Sequence, residues 1–168
     1  MHKATAGRYV IGPDEGERVD LGGLGVRFLL DSEQTGGRFS LVEHPIAPRS
    51  LAAPLHTHAA VDEYSFVLVG EVGVQVGDDV FTATPGQLVV KPRGIPHAFW
   101  NATDEEASVL EIISPGGLEH YFRALPSLIR PDGTPTDPER LGRMLAEQQL
   151  DLDIASAPEL MQRYGLRQ

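Results

Sequence analysis

Two blocks of sequence constrain this chain more than anything else in it: His56-x-His58 followed by Glu63 and Gly70, and Gly86-x5-Pro92-x-Gly94-x2-His97-x3-Asn101. The segments around them, 65–69, 73–76 and 87–91, read as strands, and side chains two apart on a strand share a face. His56 and His58 therefore point the same way. Glu63 arrives after a short polar break, and His97 comes from a second strand pair entered through the stiff turn Lys91-Pro92-Arg93-Gly94-Ile95-Pro96. Gly70 and Gly86 fall where chain reversals need permissive backbone. Four side chains carried this way converge only if both hairpins face one interior, and three imidazoles with one carboxylate converging there make a metal site.

These nine positions resemble the paired signature motifs of the cupin superfamily, over residues 50–101. The 15 residues from Glu71 to Pro85 resemble the short inter-motif hairpin of bacterial members. One position departs: Ser50 stands where the family pattern has a glycine six residues before the first histidine, which leaves the turn into the first motif open. The resemblance implies an all-β fold, a double-stranded β-helix (the cupin or jelly-roll barrel), with a metal near its open end held by His56, His58, Glu63 and His97. On that basis residues 1–114 are expected to form the barrel and 115–168 a C-terminal helical extension packed on it.

The remaining sequence fits this frame. At 168 residues and 41% hydrophobic content one domain is expected, burying about 70% of its unfolded surface. There are no cysteines, so thiolate ligands, disulfides and a thiol nucleophile are excluded. A formal charge of −10 opposes nucleic-acid binding, and residues 131–168 carry seven acidic side chains against four basic ones, which argues against a DNA-binding module there. The first twelve residues lack the apolar core of a signal peptide and no run reaches membrane-spanning length, so no membrane association and a cytoplasmic location are expected.

Short apolar or alternating runs predict strands over 8–11, Gly25–Leu30, 38–43, 81–83, 98–101 and 108–113, with Gly77-Asp78-Asp79 as the tightest turn. After Ser114, Leu118, Tyr121, Phe122 and Leu125 recur at helical spacing, ending before Pro126. Thr136-x-Pro138-Glu139 and Ser156-x-Pro158-Glu159 each read as a capping box opening a further helix, with 131–135 and 149–155 as loops. His44 and His120 read as structural or solvated, and His2 as part of a frayed terminus. Gly25–Leu30 reads as an exposed edge, which with the resemblance leads to the expectation of a homodimer.

The donor set suits one divalent transition metal ion, Fe, Mn, Ni, Co, Cu or Zn, without choosing among them. Alternation from Glu63 and His97 puts Ser65, Val67, Val69, Phe99 and Asn101 on the interior; Ser65, Val67, Phe99 and Asn101 are the candidate substrate pocket. That lining suits an aromatic or enolic small molecule better than a phosphorylated sugar, which would ask for an inward Arg or Lys. The leading expectation is a dioxygenase resembling the single-domain quercetinase-like enzymes, with Glu63 as the catalytic base that takes the substrate proton. Alternatives are a non-oxidative isomerase, cyclase or lyase, and a non-catalytic metal-dependent small-molecule binding module.

Overall fold

Strand content dominates the computed structural model, which describes residues 10–130 and 133–167. The elements run β1 (Arg18–Asp20), β2 (Gly25–Leu30), α1 (Ser32–Thr35), β3 (Ser40–Ile46), β4 (Ser50–His58), β5 (Asp62–Val69), β6 (Val72–Val76), β7 (Asp79–Ala83), β8 (Leu88–Lys91), β9 (His97–Asn101), β10 (Ala107–Ser114), α2 (Glu119–Leu128), α3 (Pro138–Glu147), β11 (Leu150–Leu152) and α4 (Ser156–Tyr164). They form two antiparallel sheets, β1-β2-β3-β10-β5-β8 and β11-β4-β9-β6-β7. This is the double-stranded β-helix expected from the motifs. Non-consecutive neighbours such as β3 beside β10 and β4 beside β9 are what folds the chain back on itself into a barrel.

The interior has two apolar parts. Val67, Val72, Val74, Val89, Phe99 and Val109 pack between the sheets, while Val26, Phe28, Val42, Val61 and Ile113 meet Leu118, Tyr121, Leu125 and Leu128 from α2, Leu141 from α3 and Leu150 from β11. Buried side chains of this kind contribute about 1.5–3 kcal/mol each. On the outer face of the second sheet Trp100 lies directly opposite Gly73, and a Cβ on that glycine would overlap the Trp100 Nε1. The indole is thus held flat on the strand and stacks on Tyr164 of α4, centroids 4.2 Å apart.

Several expectations are corrected. Of the strand expected over 8–11, residues 8 and 9 fall outside the described residues, as does His2, and Val10 and Ile11 are not in a strand. Gly25–Leu30 is no edge: β1 pairs one side of it and β3 the other. The helix α2 does not stop before Pro126 but runs through it to Leu128. Proline forfeits one backbone hydrogen bond, but Leu125 and Leu128 are both buried on either side of that point, and their burial offsets the loss.

Neither capping box forms as written. Asp137, not Thr136, caps α3 by accepting from the Arg140 N–H at 2.9 Å, while the Thr136 hydroxyl donates to the Ser127 carbonyl. Ser156 is already helical; its hydroxyl accepts from the Leu55 N–H and donates to the Asp153 carbonyl, tying α4 to β4. The segment expected as the loop 149–155 contains β11, which adds to β4 with Leu150 opposite His58 and Leu152 opposite His56. A three-residue strand carries too little periodicity to be read from sequence, and it forms because β4 offers an unpaired edge. Among the described residues no helix is long and apolar enough to cross a membrane.

Candidate metal centre

His56 and His58 project from the end of β4, His97 from the start of the adjacent β9 and Glu63 from β5 in the facing sheet. His56 and His97 are registered partners across β4 and β9, with ring centroids 4.2 Å apart. Bulges in β4 between Leu51 and His56 set that register, re-aiming the strand's end as bulges do. The turn between β8 and β9 is pinned on both sides: the Gly94 N–H donates to the His58 carbonyl at 2.8 Å, and Arg93 donates its backbone N–H and guanidinium to Asp62. Those bonds hold the Asp62 carboxyl down at about 2. Each ligand-bearing strand end is therefore fixed relative to the others.

One donor atom from each of His56, His58, Glu63 and His97 lies within 4.8 Å of the rest, and all four residues are buried. The imidazoles are oriented for this. Nδ1 of His56 lies 2.8 Å from the Pro54 carbonyl and Nδ1 of His97 lies 3.0 Å from that of Ile95. A carbonyl only accepts, so both Nδ1 atoms carry the hydrogen, and the neutral His56 ring presents its Nε2 lone pair. The His97 Nε2 lies 3.0 Å from Glu63 Oε2, so the two atoms could serve one ion together. His58 is still plainer: both ring nitrogens are buried without a hydrogen-bond partner, and its Nε2 stands 3.4 Å from Glu63 Oε1. Buried polar atoms are seldom orphaned. The four residues could hold a metal ion, and the orphaned donors fit one.

Burial, with His97 beside it, pushes His56 down to about 3, so its ring stays neutral and ready to coordinate. Burial alone would push Glu63 up, but the Lys91 ammonium and the contacts from His58 and His97 outweigh it and hold the carboxyl well below its usual range.

The candidate pocket residues separate. Ser65 faces the interior next to the ligands, its hydroxyl donating to Glu111 Oε2 at 2.6 Å. Phe99 and Val67 both belong to the apolar cluster packed between the sheets. Val69 is 55% exposed because a bulge in the β5–β10 pairing between Ser108 and Val109 reverses the alternation there. Asn101 is fully buried but spent on a turn: its amide donates to the Ile46 and Glu105 carbonyls, and its Oδ1 accepts from the Thr103 N–H and hydroxyl. His44 is structural, its Nδ1 on the Gly25 carbonyl at 3.0 Å, and His120 is exposed on α2.

Sequence reasoning missed Lys91 and Glu111. Lys91 ends β8, as the strand expected over 87–91 has it, is 1% exposed, and puts Nζ 3.0 Å from Glu63 Oε2 and 2.5 Å from Glu111 Oε1. The premise that no cation faces the interior is therefore wrong. The β5–β8 register, with Lys91 opposite Glu63 and Val89 opposite Ser65, is what places it there. Glu111 sits in the apolar run Val109-Leu110-Glu111-Ile112-Ile113, where both faces are hydrophobic and period two gives no phase.

Residues 43–113 match the family model of the cupin domain. Comparison with curated proteins gives no match. Among solved structures the chain is similar to KdgF from Halomonas sp. (TM-score 0.58, 16% identity, 66% of this chain and 96% of that one). It is likewise similar to a predicted oxalate decarboxylase from Thermotoga maritima (TM-score 0.58, 20% identity, 63% and 98%) and a sugar phosphate isomerase of the cupin superfamily from Silicibacter pomeroyi (TM-score 0.54, 23% identity, 62% and 74%). At these identities the likeness is one of fold. The family match lies across both motifs and the barrel strands that carry them, so residues 43–113 are a cupin domain.

Proposed function

We propose that this protein is a metal-dependent enzyme that removes a proton from a small enolic or carbonyl substrate, with Glu63 as the base and His56, His58, Glu63 and His97 as the metal ligands. The observation that carries it is the difference between the two Glu63 oxygens. Oε2 receives Lys91 and lies by His97, whereas Oε1 has only His58 at 3.4 Å. Oε1 is the atom placed to accept a proton, and Lys91 stabilises the carboxylate before transfer. A divalent ion at the site would acidify a substrate hydroxyl or carbonyl α-position and leave positions for substrate oxygens. The chain's own residues do the rest. His56 and His97 stay fixed by their backbone bonds, and all four ligand residues are buried.

The dioxygenase reading takes the resulting enolate on to O2, as the resemblance to quercetinase-like enzymes implies. A second reading, in which the substrate is isomerised or cleaved without oxygen, uses the same proton removal by Glu63. The test is substrate loss by metal-loaded protein over a panel of flavonols, 1,3-diketones and hydroxy-acids, with and without oxygen. Oxygen uptake stoichiometric with substrate loss supports the dioxygenase; equal loss without oxygen supports the second reading. No loss with any substrate, metal being bound, would leave a binding module. A homodimer belongs to the same proposal, supported by exposed Phe66, Leu88, Val90 and Ile112 on neighbouring strands of one sheet face.

A further inference from the structure

Between the two apolar halves of the interior lies a polar layer one or two residue pairs thick. Glu63 pairs with Lys91 on one side and Ile113 on the other; one step inward, Ser65 pairs with Val89 and Glu111. The charged atoms are linked in series. Lys91 Nζ bridges Glu63 Oε2 and Glu111 Oε1, and Glu111 Oε2 accepts the Ser65 hydroxyl. Glu63, Lys91, Glu111 and Ser65 are 4%, 1%, 1% and 6% exposed, and the ammonium also sits 4.8 Å over the Phe99 ring. His44, the next titratable side chain on this wall, turns its Nδ1 away to Gly25 and packs its ring against Phe122.

A buried ammonium beside a ligand carboxylate works against cation binding, because it opposes the ion across a short distance in a weakly screened interior. Its usefulness lies in direction. With Lys91 donating to Oε2, Glu63 is held in one orientation, with Oε1 turned to His58 and Oε2 kept beside His97. Glu111 then cancels the charge that this positioning introduces, and the Ser65 hydroxyl holds Glu111 in place.

We infer that Lys91 is a positioning residue for Glu63 and that Glu111 is its counter-charge, so that this buried pair sets the affinity of the four-residue site for a divalent cation. The inference rests on the metal-centre reading above.

Opposed signs test it. Cobalt(II) affinity is measured by chelator competition, with the visible absorption of the bound ion reporting its coordination, on variants whose folding is checked by circular dichroism. Glu111→Gln, nearly isosteric, leaves the Lys91 charge uncompensated and should weaken cobalt binding roughly tenfold or more. Lys91→Gln keeps a donor for Glu63 without the charge and should tighten it. The double variant Lys91→Gln/Glu111→Gln should return to within about threefold of the parent or tighter. A purely packing role gives no such rescue: a double variant as weak as Glu111→Gln, or a Glu111→Gln protein indistinguishable from the parent, overturns the inference. Should Glu111→Gln not fold, Lys91→Gln decides by its sign, because weakened binding there contradicts a charge effect. A parent protein that binds no cobalt overturns the metal reading itself, a failure distinct from unchanged affinities among variants that do bind.

Discussion

Replacing Glu63 with Gln separates enzyme from binding module, and the structure fixes what the amide must do. Lys91 Nζ, a donor, stands 3.0 Å from the position of Oε2. Two donors cannot face one another, so the amide oxygen takes that place and the NH2 takes the place of Oε1, 3.4 Å from the His58 Nε2. The one atom placed to accept a proton becomes a donor. Lys91 keeps Glu111, so no buried charge is stranded and the fold should persist. Cation affinity falls because an anionic donor is gone, while three imidazoles remain, and excess metal can restore occupancy. Turnover at full occupancy should then fall by about 10²- to 10⁴-fold, the usual worth of a general base, or about 3–5.5 kcal/mol in the barrier. KM should move far less. The assay is steady-state turnover at saturating metal, with occupancy measured on the same samples. A Glu63→Gln protein with metal bound that works at the parent rate would refute the reasoning, and solvent or another group would have to take the proton.

Other outcomes follow from single contacts. His58→Ala should abolish stoichiometric metal by elemental analysis while His44→Ala and His120→Ala leave it unchanged; in chelator-treated protein His58→Ala should cost less stability by urea unfolding than His97→Ala, since the His58 ring nitrogens make no hydrogen bond to lose. Metal-free protein should lose stability on acidification. His56 titrates near 3 when folded and near 6.5 when unfolded, and burial lowers His44 too, so below about pH 6.5 the unfolded chain binds more protons and each such group costs up to about 1.4 kcal/mol per pH unit. Glu63, also depressed, adds to the loss below its unfolded value, whereas Lys91, raised, contributes stability that is present below about 10.4 and lost only as pH climbs through its folded value. Flat urea midpoints between pH 7 and 5 would contradict the buried neutral histidines. Gly73→Ala should destabilise by about 1–3 kcal/mol through overpacking against Trp100, read from the fluorescence of the chain's single tryptophan.

The barrel and the four candidate ligands were legible in the sequence because each is written in a local code. Glycines and prolines mark the reversals, and β5 shows why alternation works: Glu63, Ser65 and Val67 are all buried on one face. The code failed where pairing, not the chain's own pattern, decides. The bulge at Ser108 turns Val69 outward. β11 forms because β4 presents an edge next to His56 and His58. Asn101, inward by phase, has every polar atom drawn into the turn that follows its strand.

Lys91 and Glu111 show the limit most sharply. A lysine before Pro-x-Gly and a glutamate within an apolar strand each look like surface residues, since alone either would be costly to bury. Only their joint placement across β8, β5 and β10 makes burial tolerable, and that placement depends on the register of three strands. A ligand such as His97 is recognisable from its neighbours in sequence, but a buried ion pair has no such signature, because the residue that makes it tolerable is 20 positions away. The polar layer beside the ligands could therefore be found only by folding the chain, although it is the part of the site with the most control over the charge that Glu63 presents.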